Sequence, residues 1–255
     1  MRKWKFLIQT IARICVFLFV FCYGASAEEV DVAVVLAADV SASVGNEAVE
    51  QQRQAHANAL RSPEVIGAVM MGVRGCAGFA YFEWSSNGRK RVLLPWTRIC
   101  GPADAEDAAR RIVAGPGKGR RVGGRTSVSF AIAAAAALLA DSPWRSDRTI
   151  IDIAANGFNN DGPSLADSRA GAIAAGHTIN AVALPGPDSG SLTDYLAGQV
   201  IGGPGAFVIE SDQGRGFSVA LRRKLVTEIA AAPPGQVRAT AVRTASLARP
   251  APWLP

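Results

Sequence analysis

The stretch Val30-Asp-Val-Ala-Val-Val-Leu-Ala-Ala-Asp39-Val-Ser41-Ala-Ser43 decides the fold. Its first nine residues are apolar apart from Asp31. An apolar run of that length, broken only by Asp31 near its start, suits a strand buried on both faces of a parallel sheet. Directly after it stand one carboxylate and two hydroxyls, each two residues apart. In an extended turn such side chains project to the same side. All three are hard oxygen donors, which suit Mg²⁺, Mn²⁺ or Ca²⁺ rather than a soft metal.

Outward from this strand, the remaining elements alternate. Helices are expected over 46–61, 104–114, 127–140, 164–175, 191–200 and 217–230. Strands are expected over 77–84, 91–99, 148–154, 178–184 and 206–210. That order predicts a three-layer α/β/α fold, an open, mostly parallel, doubly wound sheet with helices on both faces. The segment 91–99 follows 77–84 through the turn Ser85-Ser-Asn-Gly88, so it is the antiparallel edge strand. In open α/β sheets, ligands bind outside the carboxyl ends of the strands. Chemistry is therefore expected just after residues 38, 154 and 184.

Two further segments fall in such places. Gly123-Gly-Arg-Thr126 precedes a helix, and Thr126 offers a hydroxyl, though it could simply cap that helix. Ala154-Ala-Asn156-Gly157 follows a strand, and Asn156 offers an amide oxygen. With Asp39, Ser41 and Ser43, these two residues complete the candidate metal set. Asp152 sits about 13 Å back along its strand and is expected to pair locally. Asp161 is a weaker candidate, reaching the site through its loop.

Here the chain resembles the von Willebrand factor A (VWA) domain and its metal-ion-dependent adhesion site. More narrowly, it is similar to an exported bacterial family of unknown function built on that domain. The resemblance covers Val30 to about Ala230. It is carried by Asp39-Val-Ser-Ala-Ser43, Glu83-Trp84, Pro95-Trp-Thr-Arg-Ile99, Ile151-Asp-Ile-Ala with Asn159-Asn160, Gly202-Gly-Pro-Gly-Ala-Phe207 and Arg223-Lys-Leu-Val-Thr-Glu-Ile229. It implies a metal held by Asp39, Ser41, Ser43, Thr126 and residue 156, with a water or a partner's acidic group in the last position. The family carries Asp where this chain has Asn156. One carboxylate in place of two implies weaker metal affinity, since ligand charge tunes it. A metal-free scaffold with a degenerate site is the alternative.

The chain ends are a different matter. Basic residues Arg2, Lys3, Lys5 and Arg13 precede an apolar run over 14–23 and the small residues Ala25-Ser-Ala27. This is the layout of a secretory signal peptide. The run is short of the roughly 20 residues a membrane span needs, so no span is expected after cleavage, although an uncleaved anchor is the alternative. The mature domain is then 28–231, periplasmic or secreted. Residues 232–255 are rich in Pro, Ala and Arg and read as a flexible tail.

Charge sorts the same way. The chain has 27 basic and 21 acidic residues, a net +6. Four of the basic residues lie in the leader and three in the tail. The domain keeps 20 against 21, so the excess is not a nucleic-acid-binding face.

Of four cysteines, Cys15 and Cys22 belong to the leader. Opposed residues of a hairpin centred on Gly88 sum to 176, which sets Cys76 against Cys100. A disulfide is expected there in an exported protein, two separate buried thiols being the alternative.

Enzymatic function is not expected. No G-x-S-x-G or strand-linked G-x-G-x-x-G occurs, and Gly115-Pro-Gly-Lys118 lacks the Ser/Thr of a phosphate loop. His56 falls on an apolar helix face and His177 in a turn. A hydrolase using the same site is the least favoured reading. The expected function is an exported binding module for a protein or peptide partner.

Overall fold

A computed structural model describes residues 28–115, 123–184, 189–211 and 215–231. The expected leader, 1–27, and tail, 232–255, lie outside the described residues.

The sheet grows from β2, Val32–Asp39, all eight residues of which are buried. The minor strand β1, Glu29–Val30, precedes it and pairs with β5, Arg145–Ser146, in a small separate ladder. On one side β2 pairs in parallel with β3, Ala77–Trp84, which turns back into the antiparallel β4, Lys90–Ile99. On the other side lie β6, Thr149–Ala155, then β7, Thr178–Ala183, and β8, Val208–Glu210, all parallel. The order is β4-β3-β2-β6-β7-β8, an open sheet with one antiparallel edge strand.

Strand alternation divides β2 between two cores. Val32, Val34, Leu36 and Ala38 face a layer built from α1 (Asn46–Leu60), α2 (Pro63–Met70), α3 (Pro102–Val113) and α7 (Arg215–Ala230). Ala33, Val35 and Ala37 face α4 (Val128–Ala140), α5 (Leu165–Ala174) and α6 (Ser189–Tyr195), which runs on as a π-helical turn to Val200. The fold is three-layer α/β/α. Ala33 and Ala37 leave room for the second helix layer, whereas the first meets Val32, Val34 and Leu36.

Some local structure departs from the sequence expectations. Helix α2 was not anticipated. Its signals are nonetheless conventional. Ser62 caps it by accepting from the Val65 amide, and Pro63 takes the first turn, where a missing N–H costs nothing. Strand β8 begins at Val208 rather than residue 206. In the hairpin, partner numbers sum to 176 at Ala77–Ile99 but to 174 at Phe82–Val92, because two irregularities intervene. The 176 register at the open end brings Cys76 beside Cys100, and the two form a disulfide, with Cα atoms 4.2 Å apart.

Two groups of charged side chains lie beneath the first core's face of the sheet among the described residues. Asp152 of β6 is 2.6 Å from Lys224 of α7, and Lys224 also bonds Glu228 one turn on. Asp152 therefore does not pair locally; its partner comes from the last helix. Asn180 of β7 donates to Glu228 Oε1 at 2.7 Å. Glu83 is clamped by Arg53 of α1 and Arg91 of β4.

Candidate functional site

The chain leaves β2 toward β3 on one side, and β6 returns on the other. The direction of strand order therefore changes between β2 and β6. Their carboxyl ends diverge into separate loops there, which opens the crevice expected at such a switch point. Asp39 ends β2, and Asn156 follows directly after β6.

Asp39 is fully buried. Its Oδ1 accepts from the Ser41 amide at 2.8 Å, and Oδ2 faces the Asn156 amide at 3.4 Å. The strand end is held by two more bonds. Gln52 of α1 donates from Nε2 to the Asp39 carbonyl at 2.9 Å, and the Val40 amide donates to the Trp84 carbonyl at 2.8 Å. The Ser41 and Ser43 hydroxyls lie 3.2 Å apart, and Ser43 donates to Asn156 Oδ1 at 2.9 Å. Asp39, Ser41, Ser43 and Asn156 thus form one hydrogen-bonded chain across two loops.

Thr126 reaches the same place from a third loop. It is buried, and a Cβ on Gly157 would stand 3.7 Å from its hydroxyl. Among the described residues its hydroxyl makes no bond to the other four. Its backbone is what ties the loops. The Thr126 amide donates to Asn160 Oδ1, and the Asn160 amide donates back to the Thr126 carbonyl, both at 2.9 Å. The Ala42 amide donates to the Gly124 carbonyl at 3.1 Å.

Close approach of these loops needs glycine at two points. Gly124 has φ +114°, and a Cβ there would lie 2.4 Å from Ser86 Oγ. Gly162 has φ +91°, and its Cβ would meet Ser127 Oγ at 2.2 Å. Both positions exclude an ordinary L side chain.

Burial pushes the Asp39 carboxyl up to about 6, although hydrogen bonds from Ser41 and Asn156 pull it back. Among the described residues no lysine or arginine pairs with it. A buried carboxylate without a countercharge is costly, and a bound cation would relieve that cost. The surrounding donors are hydroxyl and amide oxygens, with no cluster of three or more His, Cys, Asp or Glu among the described residues. The set fits a hard divalent cation with one charged ligand.

Several other residues are placed by the structure. Asp161 does not reach the site. Its carboxylate accepts from the Asn87 amide and its carbonyl from Ser127 Oγ, so it joins loops. His56 is a core residue, with Nδ1 2.8 Å from the Gln52 carbonyl. His177 lies at the start of β7, at the opposite end of the strand from the site, with Nδ1 2.8 Å from Thr149 Oγ1. The sequence reading gave no role to Gln52, Asn159, Asn160 or Tyr195. Asn159 Oδ1 accepts from the Ser129 amide at 3.0 Å, and its own amide donates to Tyr195 Oη at 3.1 Å. In sequence, Asn159-Asn160 enters only as part of the family resemblance.

A family model described as a protein of unknown function, DUF1194, matches residues 29–233. Among solved structures, the chain is similar to the pilus adhesin SpaC from Lactobacillus rhamnosus GG. That match has 12% identity and TM-score 0.56, over 80% of this chain and 31% of the adhesin. It is similar to proximal thread matrix protein 1 from the mussel byssus, a structure with a zinc-occupied MIDAS motif. There the identity is 14% and the TM-score 0.53, over 80% of this chain and 48% of that one. A von Willebrand factor type A protein from Catenulispora acidiphila matches at 15% identity and TM-score 0.50, over 79% and 43%. The chain therefore spans between about a third and a half of these three proteins. At such identities the likeness shows the VWA fold. No curated protein matches the chain.

Proposed function

The chain belongs to the DUF1194 family and has the VWA fold, and from that premise we propose that it is an exported binding module with a metal-ion-dependent adhesion-type site. Asp39, Ser41, Ser43, Thr126 and Asn156 are the ligand set. The carrying observation is the meeting of these oxygen donors around a buried carboxylate that has no countercharge among the described residues. Mg²⁺ or Mn²⁺, with Ca²⁺ a further choice, would supply an open coordination position for an acidic group of a protein or peptide partner. The zinc named for the byssus protein belongs to that protein, and supports only the class of divalent ions.

The protein's own part is to position. Asp39 brings the charge, and its buried setting keeps water from screening it. Ser41 and Ser43 are fixed by the turn that the Asp39 carboxylate itself organises. Asn156 brings an oxygen without charge, so a bound cation is less neutralised and draws acidic groups more strongly. The Cys76–Cys100 disulfide supports an oxidising, exported setting.

A metal-free scaffold is the second reading. The bond from Ser43 to Asn156 Oδ1 favours it, because it uses one of the two lone pairs of that amide oxygen and ties up the Ser43 hydroxyl. Calorimetric titration of the purified protein with Mg²⁺ and Mn²⁺ separates the two. Saturable binding is expected, and Asp39→Ala should abolish it while the far-ultraviolet circular dichroism stays unchanged. Absence of heat up to millimolar metal would favour the scaffold.

A further inference from the structure

Phe158 is one of seven large apolar side chains left exposed among the described residues, at 42%. It alone stands in a loop that bears a candidate ligand. Only Gly157 separates it from Asn156, so their Cα atoms are at most about 7 Å apart. Met70, Met71 and Val73 sit at the opposite pole, before β3.

Its exposure is not the result of a loose loop. Asn159 and Asn160, the next two residues, are pinned to Ser129, Tyr195 and Thr126 by the bonds already described. The Phe158 ring itself packs edge-to-face on Tyr195, with centroids 4.8 Å apart and planes at 62°. Tyr195 belongs to the second core, whereas Phe158 does not. The structure therefore holds a partly exposed aromatic surface in place on the loop that carries Asn156. A rigid, exposed aromatic loses little entropy when covered, and such residues anchor interfaces.

We propose that Phe158, backed by Tyr195, is an apolar subsite beside the cation position, and that the partner presents a carboxylate flanked by a large apolar side chain. This rests on the adhesion-type reading of the site. The cation sets the charge of the partner group, and the Phe158–Tyr195 pair sets what stands next to it. A partner bearing an isolated, fully hydrated acid gains only the first contact.

The test uses the full protein loaded with Mn²⁺, with acetate and 3-phenylpropionate as probes. Binding is read from Mn²⁺-enhanced relaxation of the probe protons, which detects weak ligands. Wild type should bind 3-phenylpropionate about tenfold or more tightly than acetate, as covering one aromatic ring allows. Phe158→Ala should cut that preference to about twofold with Mn²⁺ affinity unchanged, and Phe158→Leu should retain part of it. Equal preference in wild type and Phe158→Ala overturns the subsite and leaves the metal site standing. Equal binding of the two probes to wild type does the same. Failure of Mn²⁺ itself to bind overturns both, and shows in the metal titration before any probe is added.

Discussion

At residue 156 the difference between an amide and a carboxylate decides how the site behaves. Asn156 faces Asp39 through its backbone amide and Ser43 through its side-chain oxygen. Replacing it by Asp would place a second carboxylate beside one already pushed up to about 6 by burial. Without metal the two negative charges repel, so Asn156→Asp should lower the unfolding temperature. With metal the added charge becomes a ligand. Mn²⁺ should then bind about tenfold or more tightly than to wild type, and should raise the unfolding temperature further. Titration calorimetry and thermal melts with and without Mn²⁺ check both halves. Unchanged affinity would remove residue 156 from the ligand set. The spacing Asp39-x-Ser41-x-Ser43 after a buried strand was legible in the sequence because the donors fall at alternate positions of one short segment. Gln52, Asn160 and Tyr195 were not, because each acts on a loop brought near only by folding.

At the scale of elements, the β3–β4 hairpin shows both what sequence can and cannot carry. Its turn was readable from Ser85–Gly88, and its far end from the two cysteines. The first of the two register irregularities between them falls at Pro95, which cannot donate to the ladder, whereas the second, between Tyr81 and Phe82, has no such residue to mark it. Helix α2 escaped for a related reason. It is only eight residues long, and just Val65 and Val69 are fully buried, too little for a helical period to stand out. The disulfide closes a separation of 24 residues. Constraining the unfolded chain over such a loop is worth about 3 kcal/mol. Replacing both Cys76 and Cys100 by Ser should therefore lower the melting temperature by about 6–12 °C in a domain of this size. A drop below about 2 °C would show that the hairpin's pairing and the helices over it already fix the open end.

The whole molecule is joined by the charged group beneath the sheet, and this gives its stability a pH dependence. Asp152, Lys224, Glu228 and Asn180 come from β6, α7 and β7, so the last helix is locked to the centre of the sheet. Lys224 is fully buried and its pKa moves up: burial opposes this, but Asp152 and Glu228 outweigh it. Two carboxylates share that one ammonium. Burial, then the Asp152 charge, pushes Glu228 up to about 7 from an ordinary 4.5, with Lys224 and Asn180 acting against it. The folded state thus holds a proton on Glu228 that the unfolded chain releases near 4.5. Its stabilising effect is complete below that value and is lost as pH rises to about 7. The amount is on the order of 3 kcal/mol, from the size of the shift. Asp39, also raised, acts in the same sense up to about 6. His56 and His177 are lowered by burial and act in the opposite sense, costing stability as pH falls. The net curve is therefore a poor test, and the difference between wild type and Glu228→Gln is a good one. Gln keeps an oxygen for Lys224 and Asn180 but does not titrate. Denaturant unfolding should find the variant gaining on wild type between pH 5 and 7, with the gap level above about 7.5. Parallel curves over that range would mean that Glu228 is ionised throughout, and that Lys224 neutralises it more fully than it does Asp152.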